Sequence, residues 1–270
     1  MVKLELEGYT GIVTGAAGGV GKAISKKLLE AGARVVIVDI DEKKGKETEE
    51  EFSKKFGKCD FFKVDVSDIE AVRNVVGEVV KEYKVINYLV NNAGILIPRL
   101  LVDPAGKEEI TENIFDKMIN VNLKGAVFCA QEVAREMIKK KKGVILNVAS
   151  ESGLEGSEGQ SVYAATKAAL YSFTRSWAKE LGKFNIRVVG IAPGILELTA
   201  LRTPEYERAL AYTRGITVEE LRASYEKVSI PLRRVGKLEE VANVVLFLIS
   251  EMASYITGTV INISGGKSRA

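Results

Sequence analysis

Residues 11–39 read GIVTGAAGGVGKAISKKLLEAGARVVIVD, and the order of patterns inside that stretch decides the fold. GIVT (11–14) is a short β-branched run. VGKAISKKLLEAG (20–32) is amphipathic, with apolar residues at 20, 24, 28 and 29 and Gly32 as a stop signal. RVVIVD (34–39) is a second β-branched run. Strand, crossover helix and strand form the repeating unit of a parallel sheet.

The same alternation continues along the chain. Further strand candidates are DFFKVD (60–65), VINYLVN (85–91), GVILNVA (143–149), IRVVGIA (186–192) and TVINIS (259–264), with helical patterns between them. These runs lack in–out alternation, as expected of strands buried on both faces. The expectation is an α/β, doubly wound, mostly parallel sheet with helices on both faces. At 270 residues, with 46% hydrophobic residues and no composition break or internal repeat, the chain reads as one large domain spanning 1–270. One segment breaks the rhythm. Residues 193–236 contain two helical patterns (about 204–213 and 217–228) and no strand. At the C-terminal end of a strand, such an insertion covers the ligand crevice as a substrate lid; the alternative is a peripheral helical decoration.

Composition excludes several classes. A formal charge of +3, from 39 basic and 36 acidic residues, gives no argument for nucleic acid or an anionic membrane. Cys59 and Cys129 form no CxxC pair, so a disulfide framework or cysteine zinc site is not expected, and with no histidine most transition-metal sites are disfavoured. MVKLELEGYTGIVTG has no signal-peptide core, and VANVVLFLIS falls far short of the ~20 residues that span a bilayer. A cytoplasmic protein is expected. Scarce glutamine (Gln131 and Gln160 alone) beside plentiful Lys, Glu, Val and Ile leans thermophilic.

The first strand runs into TGAAGGVGKA, where Gly15, Gly19 and Gly21 follow G-x-x-x-G-x-G and Gly18 and Val20 share the turn. Small residues make the turn tight and let a pyrophosphate approach the backbone. The helix starting near Gly19 offers free N–H groups and a positive dipole end. A glycine turn by itself also fits ordinary chain reversal, but its place between strand and helix makes it a candidate dinucleotide loop. The second strand ends at Asp39, twenty-four residues after Gly15. A carboxylate there accepts hydrogen bonds from a ribose diol and repels a 2′-phosphate, and no basic residue stands at Ala16, Ala17 or Ile40 to compensate. NAD is therefore expected over NADP. The alternative is an exposed aspartate opening the turn DIDEKKGK.

A chain without histidine needs another group to move a proton near neutral pH. Tyr163 and Lys167 stand at i and i+4 and share a helix face, with Ser150 thirteen residues before the tyrosine at the end of strand 143–149. A free phenol has a pKa of ~10 and is a poor base. A neighbouring ammonium, with a cationic nicotinamide ring, favours the phenolate and lowers that value. Tyr163 could then exchange a proton with an alcohol or ketone oxygen, held also by the Ser150 hydroxyl. The plain alternative is a core tyrosine and a surface lysine.

Together these pieces resemble the short-chain dehydrogenase/reductase family. The matching motifs are TGAAGGVG (14–21), VVIVD (35–39), KVDVSD (63–68), LVNNAG (89–94), VNLKG (121–125), NVAS (147–150), YAATK (163–167), IRVVGIAPG (186–194) and ITGTVINISGG (256–266), in the family's order. The resemblance implies a seven-stranded Rossmann sheet of order 3-2-1-4-5-6-7 and NAD-dependent alcohol dehydrogenase or ketoreductase chemistry. Tyr163 would be the acid/base and Ser150 would orient the carbonyl. Lys167 would bond the nicotinamide ribose and depress the tyrosine pKa. Asn122 would bend its helix and hold a water contacting Lys167. Asp65 and Val66 would contact adenine, Asn92, Ala93 and Gly94 would line the cofactor cleft, and Pro193, Gly194 and the backbone near Leu196 would hold the carboxamide. Where the family often has threonine, position 198 is leucine and threonine follows at 199. The helices around 111–140 and 161–183 would pair subunits into a homotetramer.

ESGLEGSEGQS (151–161), LRTPEYERALAYTRGITVEELR (201–222) and GGKSR (265–269) are also similar to the branch of the family that interconverts sorbitol 6-phosphate and fructose 6-phosphate with NAD. A phosphate calls for arginine, which binds it bidentately. Arg99 and Arg202 are the first candidates, with Arg214, Lys267 and Arg269 further ones, and Glu151, Glu155 or Glu158 could bond polyol hydroxyls. Each arginine is equally compatible with a solvated charge or a salt bridge. Two other functions stay open: the same machinery on another sugar, polyol or 3-oxoacyl thioester, and an NAD-sensing binding protein without turnover.

Overall fold

The β-branched runs lie side by side as β1 (Thr10–Thr14), β2 (Arg34–Asp39), β3 (Cys59–Lys63), β4 (Tyr88–Asn91), β5 (Gly143–Val148), β6 (Ile186–Pro193) and β7 (Val260–Ile263). All pair parallel in the order β3-β2-β1-β4-β5-β6-β7, as expected. This computed structural model describes residues 4–199, 202–227 and 230–268, with backbone alone at 226 and 227. Alternate residues of one strand enter opposite cores. Val35 and Ile37 pack with Ile24, Leu28, Val245 and Leu248 on one face, and Val36 and Val38 with Val72, Val76, Val133 and Met137 on the other. That two-sided burial is why the strands show no polar alternation.

The crossovers are α1 (Gly19–Glu30), α2 (Glu42–Phe56), α3 (Ile69–Tyr83), α4 (Glu112–Ile119), α5 (Gly125–Lys140), the short α6 (Ser152–Glu155), α7 (Ser161–Leu181), α8 (Pro204–Thr213), α9 (Val218–Lys227) and α10 (Leu238–Ile249). Asp41, Asp68, Thr111 and Thr203 cap α2, α3, α4 and α8 with side-chain oxygens. α1 differs, with no side-chain cap and no acidic residue in its first turn.

Four strands are shorter than the sequence suggests, GVILNVA stopping at Val148 and TVINIS covering only Val260–Ile263. VINYLVN pairs only from Tyr88, because Lys84 closes α3 in a left-handed conformation. DFFKVD ends at Lys63, because Asp65 folds back to accept from the Ser67 N–H at 2.9 Å and hydroxyl at 2.7 Å. The stretch expected as one helix over 111–140 is interrupted by a π-helical turn, Asn120–Lys124, which carries Asn122.

The insertion after β6 folds on its own small core of Leu210, Ala211 and Leu221, flanked by Tyr206, Ile216, Val218 and Tyr225. Its base is closed where Gly236 N donates to Ile195 O at 3.0 Å and Glu197 N to Gly236 O at 2.9 Å. Its far side is held by the Tyr212 hydroxyl, which donates to Asp103 at 3.0 Å. Backbone N–H groups of Ala105, Lys107 and Glu108 also point at that carboxylate and hold its pKa at about 2.

Candidate active site

In a sheet of this order the chain reverses direction between β1 and β4, and the crevice opens at the strand C-termini there. A cleft of about 1100 Å³ occupies that place. Of the residues singled out from sequence, Gly15, Gly18, Gly19, Val20, Asp39, Ile40, Asp65, Val66, Asn92, Ala93, Gly94, Ser150, Glu151, Tyr163, Lys167, Pro193, Gly194, Leu196 and Arg202 line it.

The glycine loop forms one wall. Gly15 has φ +64°, and a Cβ there would lie 2.7 Å from the Ala93 Cα. Gly21 does not line the cleft. It packs beneath the loop, where a Cβ would meet the Gly15 carbonyl oxygen at 2.3 Å. Asn92 holds the arrangement by donating to Thr14 O and Gly15 O, both at 2.9 Å. Asp39 accepts from Ala17 N at 2.9 Å and Asp41 N at 3.0 Å, so its carboxylate is fixed at the loop. One basic residue that the sequence reading passed over, Lys44, also lines this wall, but it is paired with Asp41 at 2.8 Å.

The opposite wall carries the proton-transfer group. Ser150 Oγ accepts from Ser152 Oγ at 3.0 Å and Ser152 N at 3.3 Å, which leaves its own proton free to donate. It donates to Tyr163, a hydrogen bond that favours the phenolate, yet burial dominates and pushes the phenol up to about 12. Lys167, only 4% exposed, donates to Val148 O at 2.8 Å and lies 5.6 Å from the Tyr163 ring centroid. Burial pulls its ammonium down to about 8. Contrary to expectation, Lys167 makes no contribution to the Tyr163 shift; the Ser150 hydrogen bond is its one lowering influence, and burial outweighs it. The desolvation that brings the lysine toward neutrality drives the tyrosine away from it.

Asn122 stands behind the cleft. Its Nδ2 donates to Ile95 O at 2.9 Å and Thr166 Oγ1 at 3.2 Å, and its Oδ1 accepts from Ile95 N at 2.7 Å. Its side chain thus fixes the wall at Ile95 and touches Lys167's helix through Thr166.

Arg99 is turned away from the cleft. Its guanidinium pairs with Glu108 and donates to Pro98 O at 2.6 Å, while its backbone N–H pins Gly159 O at 2.8 Å. Glu158 is also outside the lining, and Arg269 lies outside the described residues. Thr199, one position later than the family pattern, lines the cleft against Gly19, whose Cβ would sit 3.5 Å from it. Glu151 is buried. One carboxylate oxygen pairs with Lys267 at 2.8 Å and the other has no partner, and burial raises its pKa. The sequence reading missed Ser157, Gln160, Tyr206 and Tyr225, which complete the lid side. The i, i+4 spacing of Tyr206, Leu210 and Arg214 was the available signal.

The dinucleotide contacts fit this wall. Glycines keep backbone bare where a Cβ would collide, α1 presents an uncapped N-terminus, and a fixed carboxylate stands at the end of β2. Both cysteines are buried with thiols pushed up to about 12, so neither is a nucleophile. Among the described residues no helix is long and apolar enough to cross a membrane.

A family model described as enoyl-(acyl carrier protein) reductase matches residues 15–268. The chain is 54% identical over 269 residues to a sorbitol-6-phosphate 2-dehydrogenase of Klebsiella pneumoniae, covering 98% of each. It is 41% identical to a 3-oxoacyl-(acyl-carrier-protein) reductase FabG of Thermotoga maritima, covering 97% of this chain and 99% of that one. A crystal structure assigned as a short-chain alcohol dehydrogenase from Sinorhizobium meliloti superposes with a TM-score of 0.87 at 34% identity, covering 98% of both chains. The chain belongs to the short-chain dehydrogenase/reductase family of oxidoreductases, which use NAD(P).

Proposed function

We propose that this chain oxidises a phosphorylated polyol, sorbitol 6-phosphate, reversibly to fructose 6-phosphate with NAD. The observation that carries the reading is the 54% identity, over 98% of both chains, to a protein named for that reaction. The fixed Asp39 carboxylate supports NAD over NADP, since a 2′-phosphate beside it would be repelled.

Gly15, Gly18, Gly19, Val20 and the start of α1 hold the pyrophosphate, and Asp39 with the Ile40 backbone holds the adenosine ribose. Asp65, Val66, Asn92, Ala93 and Gly94 flank the adenosine side, and Pro193, Gly194 and Leu196 hold the carboxamide. When bound, the dinucleotide supplies the hydride acceptor and a cationic ring. Tyr163 takes the proton from the carbinol oxygen. Ser150, whose hydroxyl already accepts twice from Ser152, turns its one proton from Tyr163 to that same oxygen and fixes its position. Lys167, still mostly protonated at pH 7 with a pKa of about 8, bonds the ribose and contributes positive charge near the phenol. Asn122 positions Ile95 and, through Thr166, the helix that carries Tyr163 and Lys167. Glu151 and Lys267 form a polar end suited to polyol hydroxyls.

The 41% identity to a FabG protein favours a second substrate class, a 3-oxoacyl thioester. Mixing the protein with NAD or NADP and a panel of polyols and polyol phosphates, or with NADH or NADPH and 3-oxoacyl thioesters, and following reduced-cofactor absorbance, separates them. Fastest turnover of sorbitol 6-phosphate with NAD is expected. Activity confined to 3-oxoacyl thioesters with NADPH would overturn the reading. Homotetramer assembly through α5 and α7 belongs to the same proposal, and light scattering tests it.

A further inference from the structure

The lid side of the cleft holds more positive charge than its own carboxylates neutralise. Arg202 pairs with Glu207 at 2.9 Å, and Glu207 is shared with Arg222 at 2.6 Å. One carboxylate thus serves two guanidiniums, and Arg222 lies outside the cleft lining. Arg202 keeps an Nε donor that is buried without an acceptor, and its guanidinium stacks 4.5 Å from the Tyr225 ring centroid. Arg214 lines the same wall and has no ion-pair partner among the described residues. Its polar contact is Nη2 donating to Ser157 Oγ at 3.2 Å.

Apart from Glu207, the polar side chains named around these two arginines on the cleft wall are neutral. Gln160 donates to the Tyr206 hydroxyl at 2.9 Å, and both residues line the cleft. The placement depends on a close approach at Gly159. It has φ +74°, and a Cβ there would sit 2.1 Å from Thr213 Oγ1, so only glycine lets the end of α8 bring Arg214 down onto loop 156–160. The carboxylates on the cleft wall lie with other elements. Glu151 is paired to Lys267, Glu155 belongs to α6, and Glu197 accepts from Leu238 N at 2.8 Å.

The geometry points to a phosphomonoester subsite under the lid, formed by Arg214 and Arg202 with Ser157, Gln160 and Tyr206, and not by Arg99. Arg214, with no ion-pair partner among the described residues, and Arg202, which shares Glu207 with Arg222, together match a dianion, and arginine binds phosphate oxygens in pairs. The subsite is built from the lid and loop 156–160, elements separate from the glycine loop and α1, so it would take the substrate's phosphate and leave the dinucleotide's to α1. The inference rests on the phosphorylated-polyol reading and extends it to named residues.

Steady-state oxidation of sorbitol 6-phosphate and of sorbitol, each with NAD, tests it in the parent, Arg214→Gln, Arg214→Lys and Arg99→Gln. The readout is the ratio of kcat/KM for the two substrates. Arg214→Gln is expected to lower that ratio at least about 30-fold, mostly through KM. Arg214→Lys should recover part of it as a point charge, and Arg99→Gln should keep the parent ratio. Inorganic phosphate should compete with sorbitol 6-phosphate in the parent and lose that competition in Arg214→Gln. If the parent prefers the phosphorylated substrate and both Arg214 variants keep that preference, the subsite is wrong while the proposed function stands. If the parent shows no preference for the phosphate, both fail. A loss of preference in Arg99→Gln alone overturns the assignment to the lid.

Discussion

Replacing Lys167 with methionine should stabilise the protein at neutral pH while abolishing turnover. The fall of this buried amine from 10.5 to about 8 corresponds to about 3 kcal/mol, at about 1.4 kcal/mol per pKa unit. That cost of keeping an ammonium in the core is fully present below pH 8, where folded and unfolded chains both hold the proton. Between pH 8 and 10.5 the unfolded chain still holds it and the folded chain has released it, so the parent gains stability as pH rises. Methionine removes this dependence, but it also takes the donor from Val148 O, which costs about 1–3 kcal/mol. At pH 7 the variant should therefore be up to about 2 kcal/mol more stable than the parent, and by pH 9.5 the advantage should shrink by about 2 kcal/mol. Urea denaturation of both proteins at pH 7, 8, 8.5, 9 and 9.5 measures it, and Tyr163 and the remaining lysines largely cancel in the comparison. A stability difference that stays constant across that range would show that Lys167 is not desolvated as the structure has it.

Tyr163→Phe removes the group that accepts the carbinol proton and should lower kcat by about 10²–10⁴ with little change in the melting midpoint; turnover within a factor of two of the parent would place the base elsewhere. Asp39→Ala combined with Ile40→Arg should shift the kcat/KM ratio from NAD toward NADP, helped by nearby Lys44, and an unmoved ratio would remove Asp39 from cofactor selection. Gly21→Ala puts a Cβ 2.3 Å from the Gly15 carbonyl, a clash that only backbone movement relieves, at about 1–3 kcal/mol. Its stability and its affinity for NADH, followed by fluorescence, should fall together, and a variant that loses neither would mean the loop tolerates a wider path.

The inner strands were legible because they are buried on both faces and so read as largely apolar runs, as Val35–Val38 divide between two cores, whereas the edge strands β3 and β7 are half-buried. The tyrosine–lysine pair was legible because a helical i, i+4 spacing survives any tertiary context. What stayed hidden depends on contacts between distant segments. Arg99 follows a cleft strand in sequence, yet Glu108, nine residues on, captures it. Tyr206 and Tyr225 reach the cleft beside the expected Arg214 because Gly159 admits Thr213 and Asp103 holds Tyr212, and neither contact leaves a local pattern. The π turn at Asn120–Lys124 was invisible as such, since one wider hydrogen-bonded turn barely alters apolar spacing. Its effect is to aim Asn122 at Ile95 and Thr166.

The absence of histidine makes burial the central variable of this site. An imidazole titrates near neutral pH with little help, whereas a phenol and an ammonium must both be brought down from about 10. Desolvation does this for Lys167 and does the reverse for Tyr163, because it penalises whichever form is charged. The two residues therefore cannot be tuned together by burial. Tyr163 stays a poor base until positive charge stands beside it, and the Ser150 hydrogen bond favours its phenolate by less than burial opposes it.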